Sequence, residues 1–336
     1  MAESKSDVRR PSLVNRLLAG WQPARVLMAA SHLDFFTSLS GETLTAEEIA
    51  ARCGTHPRST RLLLNACVAI GLLEKDGPLY RNSAEAGEFL VKGKPSYMGD
   101  AIAHTEDLWL AWYGLPESVR TNDRVSEPFR RSGLAPEGLS GKTHRNFIMA
   151  MHTRALQRAP GLVEELDLTG RRQLFDAGGG PGTYSIYLVK RYPELRATVF
   201  DLPQTIGITK EIIAEFGVED LVTTRPGNYH VDGFGQGNDV VLLSAILHSL
   251  GPERNRELLT KAFDSLIRGG LVVVQEGLIG DEGTGPLGAV LFSLNMLVNT
   301  GEGQSYSAAE IIGLLQSAGF VEARLLSPSL IVGVRP

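Results

Sequence analysis

The segment Asp176-Ala177-Gly178-Gly179-Gly180-Pro181-Gly182 constrains this chain more than any other. A short strand at 174–176 runs into the glycine turn and a helix over 182–192 leaves it, so the segment reads as strand, turn and helix. The same alternation continues downstream. Strands are expected at 197–201, 221–225, 239–247, 271–276, 320–326 and 330–334. Helices are expected at 206–216, 252–267 and 307–318, with Gly269-Gly270 closing the second of these. Ser307 and Glu310 form a capping-box pair at the start of the third. The 239–247 run is almost wholly apolar, as a strand covered on both faces would be. This pattern specifies an α/β fold, a doubly wound and mostly parallel Rossmann-like sheet.

The N-terminal part has a different texture. Leu13, Leu17, Val26, Leu27, Ala30 and Leu33 recur at helical spacing over 12–40. Thr45 and Glu48 make a capping box for a short helix stopped by Gly54. A second helix spans 57–70, with Leu62, Leu63, Ala66 and Val68 on its apolar face. Extended pieces at 72–75 and 79–82 meet at Asp76-Gly77, a hairpin signal. Helix, helix, hairpin is the winged-helix pattern. The second helix carries Arg58 and Arg61 and little else that is basic, and Glu42, Glu47, Glu48, Glu74 and Asp76 surround it. The whole chain carries a net charge of −5. A nucleic-acid reader carries a basic stripe, so packing or dimerisation suits this segment better and no nucleic-acid partner is expected.

Between the two parts, Trp109, Trp112, Tyr113, Pro116, Pro128, Phe129 and Pro136 suggest broken helices over 84–140. A helix at 143–166 carrying Phe147, Met149 and Met151 follows. The expected domains are 1–105, a winged-helix unit; 106–165, a helical connector contributing to a pocket; and 166–336, the α/β unit. The two cysteines, Cys53 and Cys67, lie in helical sequence without CxxC spacing, so small core residues in a reducing compartment are expected. No apolar stretch reaches the roughly 18 residues a spanning helix needs. A cytoplasmic protein without a membrane partner is expected.

The glycine spacing discriminates between ligands. A dinucleotide turn reads G-x-G-x-x-G; here Gly178 and Gly180 fit, but Thr183 stands at the third position. The pattern is instead D-x-G-x-G-x-G, with Gly182 as the last glycine. S-adenosylmethionine (SAM) carries no phosphate, and a turn for its amino-acid end and ribose need not follow the pyrophosphate pattern. Asp201 ends the second strand 19 residues beyond Gly182, close to the roughly 20 expected of an acid that accepts from ribose hydroxyls. A helix cap in Asp201-Leu202-Pro203 is the plainer role for it. An NAD-linked oxidoreductase is disfavoured by the same spacing.

These features resemble the SAM-dependent O-methyltransferase family that includes plant caffeate and vertebrate acetylserotonin O-methyltransferases and many bacterial natural-product enzymes. The segment 174–182 resembles its LVDVGGGTG loop, 200–203 its FDLP, 44–80 its winged-helix dimerisation domain, and 239–248 the strand that delivers its histidine. The resemblance implies a homodimer that transfers a methyl group from SAM to a hydroxyl of a small molecule. It implies SAM contacts from Asp176, Gly178, Gly180, Gly182, Asp201, Leu202, Gly227, Asn228, Tyr229, Ser244 and Met151. His248 falls at the position of the family's base and Glu276 at that of a carboxylate orienting it. A neutral imidazole, with a pKa near 6.5, suits proton removal. No metal is expected, because the sulfonium already has a good leaving group.

Three departures stand out. Gly227-Asn228 replaces a Gly-Asp pair, His248-Ser249 replaces a His-Asp pair, and Ser305 stands where the family often has a second glutamate, with Glu302 out of register. Ser305 leaves C- or N-methylation, or non-transfer chemistry, open as alternatives, and the winged helix leaves a ligand-responsive regulator open. Phe147, Trp109, Trp112, Leu291, Phe292, Asn295, Met296 and Asn299 are the candidate lining of an apolar acceptor pocket, which suits a flat phenol or polyketide-type ring.

Overall fold

The computed structural model describes residues 12–124 and 140–336. Pro128, Phe129 and Pro136 lie outside the described residues. The chain divides into two compact units between Glu106 and Asp107.

In the first unit the expected 12–40 helix is three helices: α1 (Ser12–Ala19), α2 (Trp21–His32) and α3 (Phe35–Ser38). Asp34, at φ 64°, turns the chain between the last two. Thr45 and Glu48 cap α4 (Ala46–Cys53) reciprocally, and Gly54 ends it in the left-handed region at φ 64°. Helix α5 (Pro57–Ala69) follows. Strands β2 (Leu73–Asp76) and β3 (Leu79–Asn82) pair antiparallel with Asp76 opposite Leu79. The hairpin loop is therefore Gly77-Pro78, one residue beyond the expected Asp76-Gly77. Gly77 has φ 54° and Pro78 cannot take positive φ, which is the type II′ arrangement. A two-residue strand β1 (Leu44–Thr45), absent from the sequence reading, completes the sheet in the order β1-β3-β2. Phe35, Phe36, Ile49, Leu64, Cys67 and Tyr80 form the core, and burial pushes the Cys67 thiol up to about 11. Helix α6 (Ala84–Phe89) closes this segment.

Helices α7 (Gly99–Tyr113), α8 (Leu115–Thr121) and α9 (Ser140–Glu165) lead into the sheet. The sheet strands are β4 (Gln173–Ala177), β5 (Arg196–Asp201), β6 (Val222–Pro226), β7 (Asn238–Ser244), β8 (Leu266–Gln275), β9 (Val321–Ser327) and β10 (Leu330–Val334). Their order is β6-β5-β4-β7-β8-β10-β9, parallel from β6 through β8 and antiparallel across β10. The helices are α10 (Thr183–Arg191), α11 (Pro203–Glu215), α12 (Pro252–Ser265), α13 (Leu287–Asn299) and α14 (Ala308–Ser317). Alternate strand residues face opposite layers. Leu174, Val240 and Leu242 join Ile186, Leu188 and Ile212 on one side, while Phe175, Val241 and Leu243 join Leu258, Leu259 and Ile311 on the other.

Two expected boundaries are corrected. The fourth strand ends at Ser244, not 247, because Ala245 takes φ 56° and breaks the extended backbone. Helix α12 ends at Ser265, and Gly269-Gly270 lie inside β8 rather than closing the helix. Between Asn238 and Val240 the register jumps from Leu266 to Leu271, so the glycines form a bulge. Gly269 has φ 73°, and a Cβ on Gly270 would lie 2.7 Å from the Ile267 carbonyl. Among the described residues, no helix is long and apolar enough to cross a membrane.

Candidate active site

The turn after β4 is held from β5. Gly178 N donates to Phe200 O at 2.7 Å, and Gly182 N to Gly179 O at 2.9 Å. Gly178, Gly180 and Gly182 all have positive φ, at 68°, 53° and 72°, where a side chain is strained. Space adds a second constraint at Gly178, where a Cβ would lie 2.4 Å from Ile246 Cδ1. At Gly180 a Cβ would meet nothing within 4 Å, so that side of the turn is open to a ligand.

Asp176 lies beneath the turn and is 1% exposed. Its Oδ2 accepts from Ser185 Oγ at 2.7 Å, while Oδ1 has no partner among the described residues. Burial pushes its carboxyl up to about 7, against the Ser185 hydrogen bond and with help from Asp201. The folded protein therefore holds a proton there that the unfolded chain, near 3.8, has lost. The associated stability is fully present below about pH 4 and is lost as pH rises to about 7, by roughly 1.4 kcal/mol per pH unit. Urea denaturation of wild type and Asp176→Asn at pH 5 and 8 checks this. The variant is expected to gain relative to wild type as pH rises; a pH-independent difference would contradict it.

Asp201 follows from β5. Its Oδ2 accepts from Gly180 N at 2.8 Å and its Oδ1 from Leu202 N at 2.7 Å. Each oxygen keeps a further lone pair, and the residue is half-buried. Leu202, not Asp201, occupies the N-cap of α11, so the helix-cap reading of Asp201 does not hold. After β6, Gly227 N donates to Asp201 O at 2.9 Å, and a Cβ there would lie 2.2 Å from the Phe200 ring. Asn228 Oδ1 accepts from His230 N at 2.9 Å and Asn228 N donates to Asp232 Oδ2 at 2.8 Å. One lone pair of that carbonyl remains for a ligand. Lys261 of α12 clamps this turn, donating to the carbonyls of Tyr229, His230 and Asp232 at 2.8, 3.0 and 3.2 Å. The sequence carries no sign of that lysine's role. Tyr229 is hydrogen-bonded to Ser249, and burial raises its phenol. Ser244 Oγ donates to Gln275 Oε1 at 2.8 Å.

His248 sits in a single 3₁₀ turn, Leu247–Ser249, beyond the end of β7. Buried Asn255 of α12 fixes that turn, its Nδ2 donating to the carbonyls of Leu247 at 3.0 Å and Leu250 at 3.3 Å. His248 Nδ1 meets Glu276 Oε2 at 2.7 Å, and His248 N donates to Glu276 Oε1 at 3.3 Å. Glu276 directly follows β8, and its side chain is 4% exposed against 16% for His248. With a carboxylate as acceptor, Nδ1 is the nitrogen that keeps its proton and donates, which assigns the lone pair to Nε2. Phe292 of α13 stands edge-on to the imidazole, with ring centroids 4.8 Å apart.

Ser305 turns away from this pair. Its Oγ donates to Ala289 O and its N to Ser293 Oγ, both at 2.9 Å, so it fastens the following loop to α13. Glu302 packs against Gly251. Gly303 touches the histidine turn, since a Cβ there would lie 2.5 Å from His248 O. Asn295 Oδ1 accepts from Trp112 Nε1 at 3.0 Å and from Asn299 Nδ2 at 3.1 Å. Met296 is buried, Leu291, Trp109 and Phe147 are exposed, and Met151 is half-buried. Phe147 and Met151 lie one turn apart on α9. His152 beside them, also missed by the sequence reading, meets Thr183 Oγ1 at 2.7 Å and ties α9 to the start of α10. Burial pushes its imidazole below the usual range.

Residues 99–321 match the O-methyltransferase domain, and residues 16–92 match the O-methyltransferase dimerisation domain. The chain belongs to the SAM-dependent O-methyltransferase family. It is 35% identical to the 3-hydroxy-5-methyl-1-naphthoate 3-O-methyltransferase of Streptomyces sahachiroi, over 94% of this chain and 90% of that one. It is 31% identical to the L-tyrosine C(3)-methyltransferase of Streptomyces lavendulae, over 90% and 85%. The crystal structure of human N-acetylserotonin methyltransferase in complex with SAM superposes with a TM-score of 0.86 at 26% identity, covering 100% of this chain and 99% of that one. The O-methyltransferase family membership makes SAM the cofactor. The residues present fit it: open space over Gly180, free lone pairs on Asp201 and a remaining acceptor at Asn228 are what a ribose diol and an adenine amino group require.

Proposed function

We propose that this enzyme methylates a hydroxyl of a small aromatic molecule, with His248 as general base and Glu276 as the residue that orients it. The observation that carries the reading is the 2.7 Å contact between His248 Nδ1 and Glu276 Oε2. It places a proton on Nδ1, leaves Nε2 basic, and offsets the charge that the ring acquires when it takes a proton. When bound, SAM supplies an electrophilic methyl on a sulfonium that needs no Lewis acid. The remaining work is to hold the acceptor in line and remove its proton. Asp176, the three turn glycines, Asp201, Leu202, Gly227, Asn228, Tyr229, Ser244 and Met151 are proposed to hold SAM. Phe147, Trp109, Phe292, Asn295, Met296 and Asn299 are proposed to line the acceptor space, with 106–165 contributing part of it.

The Streptomyces relative named for a hydroxynaphthoate supports a fused aromatic acceptor, which suits the Phe292 edge beside His248. The dimerisation-domain match supports a homodimer. Leu13, Leu17, Leu18 and Trp21, 58, 71, 69 and 52% exposed, supply apolar surface for one. Methylation at carbon is the second reading. The tyrosine C(3)-methyltransferase relative favours it, as does Ser305, bonded to α13 where the resemblance places a second carboxylate.

Carbon-13 methyl-labelled SAM distinguishes the two when incubated with hydroxynaphthalenes, aminophenols and tyrosine. A labelled methoxyl signal on a hydroxyl acceptor is the expected product. A methyl on ring carbon or nitrogen, with no methoxyl, would overturn the proposal.

A further inference from the structure

The 2.7 Å contact between His248 and Glu276 joins two segments that leave the sheet separately. The histidine turn follows β7, and Glu276 follows β8. Both lie past the last ladder pair of these strands, Ser244 with Gln275, so the ladder alone does not fix the imidazole against the carboxylate. Tyr306 bridges the two segments. Its Oη donates to Leu250 O at 2.5 Å, just past His248, and its carbonyl accepts from Ile279 N at 3.1 Å, just past Glu276. The side chain is 3% exposed and packs in the core with Leu247, Leu250 and Ile311. Ser307, the next residue, caps α14 reciprocally with Glu310. The bridge therefore stands on a helix whose Ile311, Leu314 and Leu315 are buried.

Asn255 Nδ2 reaches the same Leu250 carbonyl at 3.3 Å, so both lone pairs of that oxygen are engaged. The residues before Tyr306 follow the same stretch of backbone. Gly303 fits against His248 O, with no room for a Cβ. Gly303 N donates to Thr300 Oγ1 at 2.9 Å, and that hydroxyl donates to Met296 O at 2.8 Å. With the Ser305 bonds to Ala289 and Ser293, residues 300–306 form a strap from α13 across the histidine turn to α14. Phe292 of α13 meets the imidazole at the other side of this assembly.

We propose that Tyr306 is a positioning residue for methyl transfer, holding the His248 turn at the distance from Glu276 that presents Nε2 to the acceptor. The inference rests on the proposed roles of His248 and Glu276. Tyr306 acts through main-chain groups on both sides of the pair. A misplacement of about 1 Å at a reacting group costs up to about 100-fold in rate, so a single hydroxyl behind the histidine turn has leverage on the transfer step.

Tyr306→Phe removes the hydroxyl and keeps the ring in the core. Tyr192→Phe is the matched control, because Tyr192 Oη likewise donates to a carbonyl, Leu166 O at 2.7 Å, away from the histidine. Proton NMR of the full chain loaded with S-adenosylhomocysteine reads the downfield resonance of the His248 Nδ1–H bonded to Glu276, assigned by its loss in Glu276→Gln. That resonance is expected to shift or broaden in Tyr306→Phe and to stay in place in Tyr192→Phe. Turnover of naphthols of graded acidity is measured alongside. Tyr306→Phe is expected to lower kcat for the least acidic naphthol by about 10–100-fold, with the loss shrinking as acidity rises, and to leave S-adenosylhomocysteine affinity within about two-fold. An unchanged resonance, an equal change in Tyr192→Phe, a loss of kcat uniform across the series, or an equal loss of S-adenosylhomocysteine affinity would overturn the positioning role. Full activity in His248→Ala would instead remove the base, and the resonance would still report whether Tyr306 sets the histidine against Glu276.

Discussion

His248→Ala is expected to lower kcat by about 10²–10⁴-fold for a phenolic acceptor while leaving SAM affinity within about two-fold. The ring is bonded to Glu276 at 2.7 Å and faced by Phe292. It makes no bond to the glycine turn, so its loss removes proton handling and spares the cofactor cradle. The effect is expected to shrink for acceptors whose hydroxyl ionises near neutral pH, because these need little help from a base. Turnover measured across a series of substituted phenols checks both statements. Unchanged kcat for a weakly acidic phenol would remove His248 from the mechanism.

Asp201→Ala is expected to act in the opposite sense, on binding rather than chemistry. Its carboxylate fixes Gly180 N at 2.8 Å and Leu202 N at 2.7 Å, and its free lone pairs are the proposed ribose acceptors. Hydrogen bonds to a charged group contribute roughly 1.5–3 kcal/mol each, so losing two to the ribose weakens SAM by about 100-fold or more. Relaxation of the turn adds to that loss. Asp201→Asn keeps one acceptor oxygen and is expected to fall between alanine and wild type. Calorimetric titration with SAM reads the effect. An alanine variant that binds SAM as tightly as wild type would exclude Asp201 from the cradle.

The geometry of the glycine turn and Asp201, proposed to hold SAM, was legible because its constraints are local. Positive φ at three positions demands glycine, and glycine prints itself in sequence. Asp201 stands at a fixed distance because one strand and one helix have typical lengths. Both capping boxes were legible for the same reason, since Thr45–Glu48 and Ser307–Glu310 bond within one turn. The surroundings of His248, the proposed base, depend on contacts distant in sequence. Asn255 fixes the His248 turn through backbone carbonyls, contacts that impose no spacing or periodicity on the sequence. Lys261 clamps a turn some thirty residues earlier. Trp112 bonds Asn295 across 183 residues.

The two boundary errors share a cause. Ala245 adopts a left-handed conformation that alanine does not advertise, so an apolar run extended the strand past its true end. Gly269-Gly270 followed a helix and suggested a stop, yet they serve the bulge of β8. Ser305 stands where the resemblance places a second glutamate. The structure adds what it does: it binds Ala289 and Ser293 and so holds α13, the helix that brings Phe292 to the imidazole.

The most direct test is a crystal structure of the enzyme with S-adenosylhomocysteine and a methyl acceptor. The expected complex has an acceptor hydroxyl oxygen about 2.6–3.2 Å from His248 Nε2, with Glu276 still bonded to Nδ1. A ring carbon or nitrogen facing the cofactor sulfur, with no acceptor oxygen within reach of Nε2, would contradict hydroxyl methylation by this histidine.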